Sequence, residues 1–374
     1  MSRFGGLLQN LCADGVPFVE LGDLVSYQQP TKFLVSSTEY SDSYRTPVLT
    51  AGQTFILGYT NEETGIYPAS ESNPVIIFDD FTTAMKWVDF PFKAKSSAMK
   101  ILTAKDSRRA GIRYLYFALQ TIRYEPQDHA RQWIGTYSKI RIPVPPLEVQ
   151  REIVRILDQF TQLEAELEAE LEARRAQYDH YRSLLLNSHY ASEKQKEIKE
   201  VLDLRAGRFI AASRISGVQD EENRIPCFGG GGLRGFVNEA NQNGDHVLIG
   251  RQGALCGNVK RALGEFYATE HAVVVSPLEE LDMSWVYHKL ASMKLNQYAS
   301  KSAQPGLAVG TLNKLEIRIP PLSDQKEIGR VLDSMDSLVN DLERGLPAEL
   351  KARRQQYAYY RDRLLTFKEV EVEA

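Results

Sequence analysis

A 24-residue stretch from the middle of this chain returns near its end, and no other feature constrains the fold as much. Gly135, Thr136, Lys139, Ile142, Pro145, Pro146, Leu147, Gln150, Glu152, Ile153, Arg155, Leu157 and Asp158 recur 175 positions later as Gly310, Thr311, Lys314, Ile317, Pro320, Pro321, Leu322, Gln325, Glu327, Ile328, Arg330, Leu332 and Asp333. Ordinary composition would give roughly one or two such identities by chance. The match resumes at an offset of 179, where Ala173, Arg174, Arg175, Gln177, Tyr178, Tyr181, Arg182, Leu185 and Leu186 return as Ala352, Arg353, Arg354, Gln356, Tyr357, Tyr360, Arg361, Leu364 and Leu365. The chain is a tandem duplication whose copies differ by four residues between two matched blocks, close to one helical turn.

From Leu147 to about Leu186 the apolar residues Ile153, Leu157, Phe160, Leu163, Leu167, Leu171, Tyr178, Tyr181 and Leu185 fall three or four apart, the stripe of a long helix. Pro145 and Pro146 punctuate its start. The matching stripe, Ile328, Leu332, Met335, Leu338, Leu342, Leu350, Tyr357, Tyr360 and Leu364, predicts a second helix from Leu322 to about Phe367, with a kink or short break at Gly345 and Pro347. Stripes this long are most simply buried against each other, as an antiparallel coiled coil with a globular domain at each end. Within the first helix the tandem Leu163-Glu164-Ala165-Glu166, Leu167-Glu168-Ala169-Glu170 and Leu171-Glu172-Ala173 reads as a solvated acidic face or as a spacer element. A four-residue unit advances a helix by about 6 Å, one or two base-pair steps.

The remaining segments, Val16 to Pro145 and Lys196 to Pro320, carry short strand-like runs, turns rich in Gly, Asn and Pro, and one helical stretch late in each. They read as diverged copies: Leu21-Gly22-Asp23-Leu24 matches Val201-Leu202-Asp203-Leu204, Val75 and Ile77 match Val247 and Ile249, and Phe92, Ala94 and Ala98 match Phe266, Ala268 and Ala272. The helix with Tyr116 and Leu119 matches that with Tyr287 and Leu290, whereas Phe78-Asp79-Asp80 stands opposite Gly250-Arg251-Gln252. A shared scaffold with unlike loops suits a protein that grips two different things in the same way. The expected fold is therefore α+β, two mixed α/β domains separated by two long antiparallel helices with pseudo-two-fold internal symmetry. The boundaries fall at 1–145 for the first domain with a short N-terminal segment, 146–190 for the first helix, 191–320 for the second domain, and 321–374 for the second helix and C-terminal tail.

Catalytic signatures are missing from the sequence. Gly230-Gly231-Gly232-Leu233-Arg234-Gly235 fits G-x-G-x-x-G but leads into Phe236-Val237-Asn238 rather than a helix, so it reads as a flexible glycine loop between strands. Asp79 and Asp80 are adjacent and, on a strand, point to opposite faces, which makes a magnesium site an unfavoured reading. The six histidines form no metal-binding pair, and Cys12, Cys227 and Cys256 are scattered, as expected of reduced thiols. No run approaches the ~18 apolar residues of a membrane span, and no signal peptide is evident, so a cytoplasmic location without a membrane partner is expected. A net charge of −4 opposes nucleic-acid binding, yet charge is uneven: Lys86 to Arg113 carries a net +6, and Pro146 to Tyr190 a net −4.

Two motifs then carry a resemblance: Ile142-Pro143-Val144-Pro145-Pro146-Leu147-Glu148-Val149-Gln150-Arg151-Glu152-Ile153 and Ile317-Arg318-Ile319-Pro320-Pro321-Leu322-Ser323-Asp324-Gln325-Lys326-Glu327-Ile328. With Thr46-Pro47-Val48-Leu49-Thr50-Ala51-Gly52, Leu57-Gly58-Tyr59-Thr60, Gly250-Arg251-Gln252-Gly253-Ala254 and the Leu-Glu-Ala-Glu tandem, the chain resembles the specificity subunit of a type I restriction-modification system over essentially its whole length. The resemblance implies a non-catalytic reader of a two-part DNA sequence, each recognition domain in a major groove and the helices as ruler. It implies assembly with two modification subunits, which hold S-adenosylmethionine and methylate adenine at N6, and with restriction subunits that use ATP and magnesium. No cofactor is expected on this chain itself.

Base contacts are expected from loop residues with suitable donors: Thr82, Thr83, Lys93, Lys95 and Lys100 in the first domain, and Arg251, Gln252, Asn258, Lys260, Lys301 and Gln304 in the second. Subunit docking and helix pairing are assigned to Ile153, Leu157, Phe160, Leu163, Leu167, Leu171, Tyr178, Tyr181, Ile328, Leu332, Leu338, Leu342, Tyr357 and Tyr360. The rival readings are a coiled-coil adaptor presenting two protein-binding domains and an enzyme of unrecognised signature.

Overall fold

The computed structural model describes residues 3–52, 54–126, 130–189, 193–301, 305–341 and 344–370. It divides into two compact units, Met1–Glu166 with Lys351–Ala374, and Leu167–Leu350. Six helices position the functional surfaces: α1 (Arg3–Leu11), α2 (Ile112–Leu119), α3 (Leu147–Asn187), α4 (Met283–Ser292), α5 (Leu322–Asn340) and α6 (Leu346–Leu364). Among the described residues, no helix is long and apolar enough to cross a membrane.

In the first unit the strands Val25–Gln28, Met99–Ala104, Val75–Asp79 and Met85–Val88 form an antiparallel sheet in that order. Val75, Ile76, Ile77 and Phe78 are all fully buried because both faces of the sheet are covered. Ile76, Phe78 and Leu102 pack against α2, which contributes Tyr114, Leu115 and Phe117. Val75, Ile77 and Ile101 point the other way, onto Leu49 and Ala94 of a three-stranded sheet and onto Phe92 just ahead of its last strand. The strands Phe18–Glu20 and Arg141–Pro143 pair beside this core, and the second leads through Pro145 and Pro146 into α3.

The second unit repeats the plan. A six-stranded sheet runs in the order Leu202–Ala206, Ala272–Pro277, Gln242–Gly250, Val259–Ala268, Ile225–Gly229 and Gly232–Val237, and Lys194–Glu197 pairs with Glu316–Ile319 ahead of α5. Here Val247, Ile249, Val273 and Val275 face Trp285, Val286 and Leu290 of α4, while Leu248, Val274, Ala262 and Phe266 fill the opposite side.

Four of the expected matches between the copies shift on this comparison, the pairing of Phe78-Asp79-Asp80 with Gly250-Arg251-Gln252 among them, since Asp79 stands opposite Gly250. Ile76 and Phe78, not Val75 and Ile77, occupy the helix-facing positions of Val247 and Ile249. Met99, not Ala98, stands where Ala272 does, since each is the cross-strand partner of the last residue of its neighbour, Asp79 and Gly250 respectively. The short helix Leu21–Leu24 corresponds to Ile198–Val201, because each leads into the strand at the edge of its sheet, so the match to Val201–Leu204 is displaced by three residues. A period of two leaves a fully buried strand ambiguous by one residue, and one residue exchanges its faces.

The 41-residue helix α3 is unbroken. Its first part runs antiparallel to α6 within the first unit, where Glu164 meets Arg354 at 2.6 Å and Phe160 stacks on Tyr360 at 5.4 Å between centroids. Leu171, Tyr178 and Leu186, from its second part, share the core of the second unit with Leu332 and Val339 of α5. The second long helix is interrupted as expected. Asp341 ends the ladder, accepting on its carboxylate from the Arg344 N–H at 3.1 Å, and Pro347 sits in the first turn of α6, where no donor is lost. A Cβ on Gly345 would lie 2.5 Å from the Ser337 carbonyl oxygen. The four-residue difference between the copies thus falls across this break rather than inside a continuous helix.

Candidate nucleic-acid interface

In the first domain the strand Val75–Asp79 ends in a hairpin tip built by its two acids. The Asp79 carboxylate accepts from the backbone N–H groups of Phe81 at 2.9 Å and Thr82 at 2.8 Å. Thr83 is held at φ 58°, an uncommon conformation for a β-branched residue, so Thr82 and Thr83 crown the tip. Asp80 turns inward: it pairs with Lys100 at 2.9 Å and accepts from the Trp133 N–H at 2.8 Å. Both acids are engaged within the protein, and among the described residues no group of three or more His, Cys, Asp or Glu side chains could hold a metal ion.

Lys93 and Lys100 are therefore not free to meet a duplex, which corrects the expectation for both. Lys100 is 1% exposed, wedged between Asp80 and the face of Tyr27, 4.7 Å from its centroid. Lys93 is 3% exposed, pairs with Glu62 at 2.6 Å and donates to the Thr64 carbonyl at 2.8 Å. The Lys93 ammonium holds the Glu62 carboxyl below its usual range, aided by the Ser37 backbone N–H. Unpairing Lys100 to reach a base would strand the buried Asp80 carboxylate. Lys95 is exposed and donates to the Tyr40 hydroxyl at 3.0 Å.

In the second domain four loops are stitched into one platform. The Arg251 N–H donates to the His271 carbonyl at 2.9 Å, the Leu307 N–H donates to the Arg251 carbonyl at 2.8 Å, and Asn258 donates from its side chain to the Gly231 carbonyl at 3.3 Å. A Cβ on Gly250 would fall 1.9 Å from the Gly230 carbonyl oxygen, and one on Gly230 would fall 2.7 Å from that of Gln252. Gly230 and Gly231 thus form a hairpin tip clamped against its neighbours, rather than the flexible loop read from the sequence. Gln252, Lys260 and Lys301 are exposed, Arg251 and Asn258 half-buried, and Gln304 lies outside the described residues.

Each domain is fastened to the start of its helix by the repeated motif. Gln150 is buried; its amide accepts from the Gly111 N–H at 3.1 Å and donates to the Arg109 and Pro145 carbonyls at 2.9 and 2.8 Å. Gln325 repeats this, accepting from the Asp282 N–H at 3.0 Å and donating to the Pro320 carbonyl at 2.9 Å. Gly111 and Asp282 cap the N-termini of α2 and α4. Farther along, Asp158 pairs with Arg113 at 2.7 Å, whose guanidinium lies 4.5 Å from the Trp87 ring centroid. Asp333 pairs with Arg261 at 3.1 Å and accepts from His288 Nε2 at 2.9 Å, which leaves His288 Nδ1 to accept from the Tyr178 hydroxyl at 3.3 Å. Lys289 donates to the Leu186 carbonyl at 2.9 Å and satisfies one of the unpaired groups at the end of α3. Gln150, Asp158 and their copies stood among the repeated identities without being marked as functional. Arg113, Arg261 and His288 carried no local signal.

The helix stripe is split. Ile153, Leu157, Leu171, Tyr178, Ile328 and Leu332 are buried, and Phe160, Leu167 and Tyr357 half-buried. Leu163, Tyr181, Leu338 and Tyr360 are exposed, and Leu342 lies outside the described residues. The buried members hold the helices; the exposed ones leave apolar surface along them.

A family model described as the type I restriction modification DNA specificity domain matches residues 14–173 and again 192–352. The chain belongs to this specificity family. It is 37% identical over a 400-residue alignment, covering 98% of each chain, to the specificity subunit of the type I restriction enzyme EcoR124I/EcoR124II of Escherichia coli. The EcoprrI specificity subunit of the same organism is 50% identical over 206 residues, 54% of this chain and 51% of that one. The specificity-family fold is also that of a crystal structure of the S subunit from M. genitalium, with a TM-score of 0.65 at 14% identity over 94% of this chain and 96% of that one. The two matched ranges correspond to the two copies of the duplication, so each copy is one specificity domain with its share of helix.

Proposed function

We propose that this chain is the non-catalytic DNA-reading subunit of a type I restriction-modification complex and recognises a bipartite duplex site, one half-sequence per domain. The observation that carries this reading is one scaffold used twice, with the same glutamine clamp but unlike tips: Phe81-Thr82-Thr83 in one copy, the Arg251-Gln252 platform in the other. Arg251 suits guanine, Gln252 suits adenine, and a threonine methyl suits thymine. The helices set the gap, and exposed Leu163, Tyr181, Leu338 and Tyr360 offer apolar docking surface to two modification subunits. Those partners hold S-adenosylmethionine and methylate adenine at N6; restriction subunits supply ATP- and magnesium-dependent cleavage.

The test is base discrimination in the complex with modification subunits, on a duplex identified by mapping methylated adenines in cells carrying the system. Arg251→Ala is expected to weaken discrimination in the second half-site by about 1–3 kcal/mol and to spare the first. Equal loss in both halves would refute the assignment of one domain to each half.

A further inference from the structure

We propose that Gln150 with Asp158, and Gln325 with Asp333, are positioning residues that key each recognition domain onto its helix and so determine the gap between half-sequences, not the bases within them. The inference rests on the bipartite reading above. In each copy the glutamine and the aspartate stand eight residues apart on one helix, about 12 Å along its axis. Buried Ile153 and Leu157, and Ile328 and Leu332 in the other copy, hold helix to domain without directional bonds; two polar ties that far apart add the directional register that apolar packing lacks.

The glutamine is demanding. It must accept from the cap N–H of the domain helix and donate to the proline carbonyl that opens its own helix, which neither a carboxylate nor an apolar side chain can do. The aspartate argues more strongly, because its two copies find their cations in different places. Asp158 takes Arg113, from α2. The matching position in α4 is Ser284, whose buried hydroxyl has no hydrogen-bond partner among the described residues, and Asp333 takes Arg261 from a strand instead. The tie at this helix position is present in both copies although the residue that makes it has moved within the domain. A requirement for attachment, rather than inherited local packing, accounts for that.

The geometry sets the precision needed. A domain about 30 Å across that swings by roughly 7° carries its far edge through one base step of about 3.4 Å. A loosened domain would still read its bases but accept a neighbouring gap.

The experiment uses the full chain with modification subunits and duplexes carrying both half-sequences at the natural gap, one pair shorter and one pair longer, read by transfer of labelled methyl groups and by competition gel shift. For Gln325→Met and Asp158→Ala, preference for the natural gap should fall at least fivefold, while the ranking of single-base changes within each half-sequence stays as in the parent. If Gln325→Met fails to assemble, Asp158→Ala decides, since that aspartate is 43% exposed and its loss leaves the core intact. A gap-selective parent with equally selective variants overturns the keying alone. A parent indifferent to the gap overturns the bipartite reading, and the keying with it.

Discussion

Lys100 and Asp80 make a pair that is 1% and 2% exposed, and the Trp133 N–H completes the carboxylate. Lys100→Met would leave a buried charge without its counter-ion, a loss of about 3–5 kcal/mol. Urea unfolding followed by Trp133 fluorescence should show it, whereas a variant with parental stability and lost first-half recognition would return Lys100 to the DNA surface. From the sequence this lysine was one cation among several, because its partner stands 20 residues away and meets it only through strand pairing. His288 was equally illegible. It fills the place of Phe117 in the first copy, fully buried, between Tyr178 and Asp333. Burial holds its imidazole below the ordinary 6.5, against the opposing pull of Asp333. Above about pH 6.5 folded and unfolded chains both hold it neutral, and the network is at full strength. As pH falls through that value the unfolded chain binds a proton that the folded one refuses, so stability declines with acid. His288→Phe should cost about 1–3 kcal/mol at pH 8, where Tyr178 and Asp333 lose their partner, and should flatten the decline between pH 6.5 and 5.5. Urea midpoints across that range check it, and parallel slopes in parent and variant would dismiss His288 as the titrating group.

Elements were legible where their chemistry is local. The double proline that opens α3, the heptad-like stripe and the interruption at Gly345 and Pro347 each depend on residues adjacent in sequence. The alignment of the two sheets slipped by one residue because Val75 to Phe78 are apolar without alternation, and only the cover on each face says which side chains look toward α2. The clamped tip at Gly230 was hidden for a similar reason, since its close neighbours, Gly250 and Gln252, lie at the end of another strand and in the loop that follows it. The helix α3 offers the direct test of measurement by length. Deleting Leu167 to Glu170 removes one Leu-Glu-Ala-Glu unit, shortens the helix by about 6 Å and rotates its C-terminal part by about 40°. The tolerated gap should shrink by one or two base pairs with both half-sequences unchanged, as read from methylated sites in cells carrying the deletion. An unaltered gap would remove the helix from any measuring role.

At the scale of the whole molecule, duplication was the most legible property, because the motif that fastens domain to helix occurs twice and has little freedom to vary. Charge was the least compliant. A chain with net −4 and an acidic α3 must approach a polyanion. Burial of Lys93 and Lys100 withdraws two of the cations of the basic stretch from Lys86 to Arg113. On the proposed reading the phosphate-neutralising charge comes largely from partner subunits, and this has a measurable consequence, because log K falls with log salt by about 0.9 per phosphate neutralised. The isolated chain should bind duplex with a shallow dependence, a slope of magnitude about 3 or less, and the complex with modification subunits should steepen it to about 6 or more. Specificity would behave differently: the ratio of target to random-duplex affinity, set by base contacts on this chain, should keep the sensitivity to Arg251→Ala at every salt concentration at which the complex holds together. Titrations at 50 to 200 mM salt with and without the modification subunits would decide it. Equal slopes would mean that the acidic chain carries the phosphate contacts itself, and that the partition of labour between a reader of bases and a binder of backbone is mistaken.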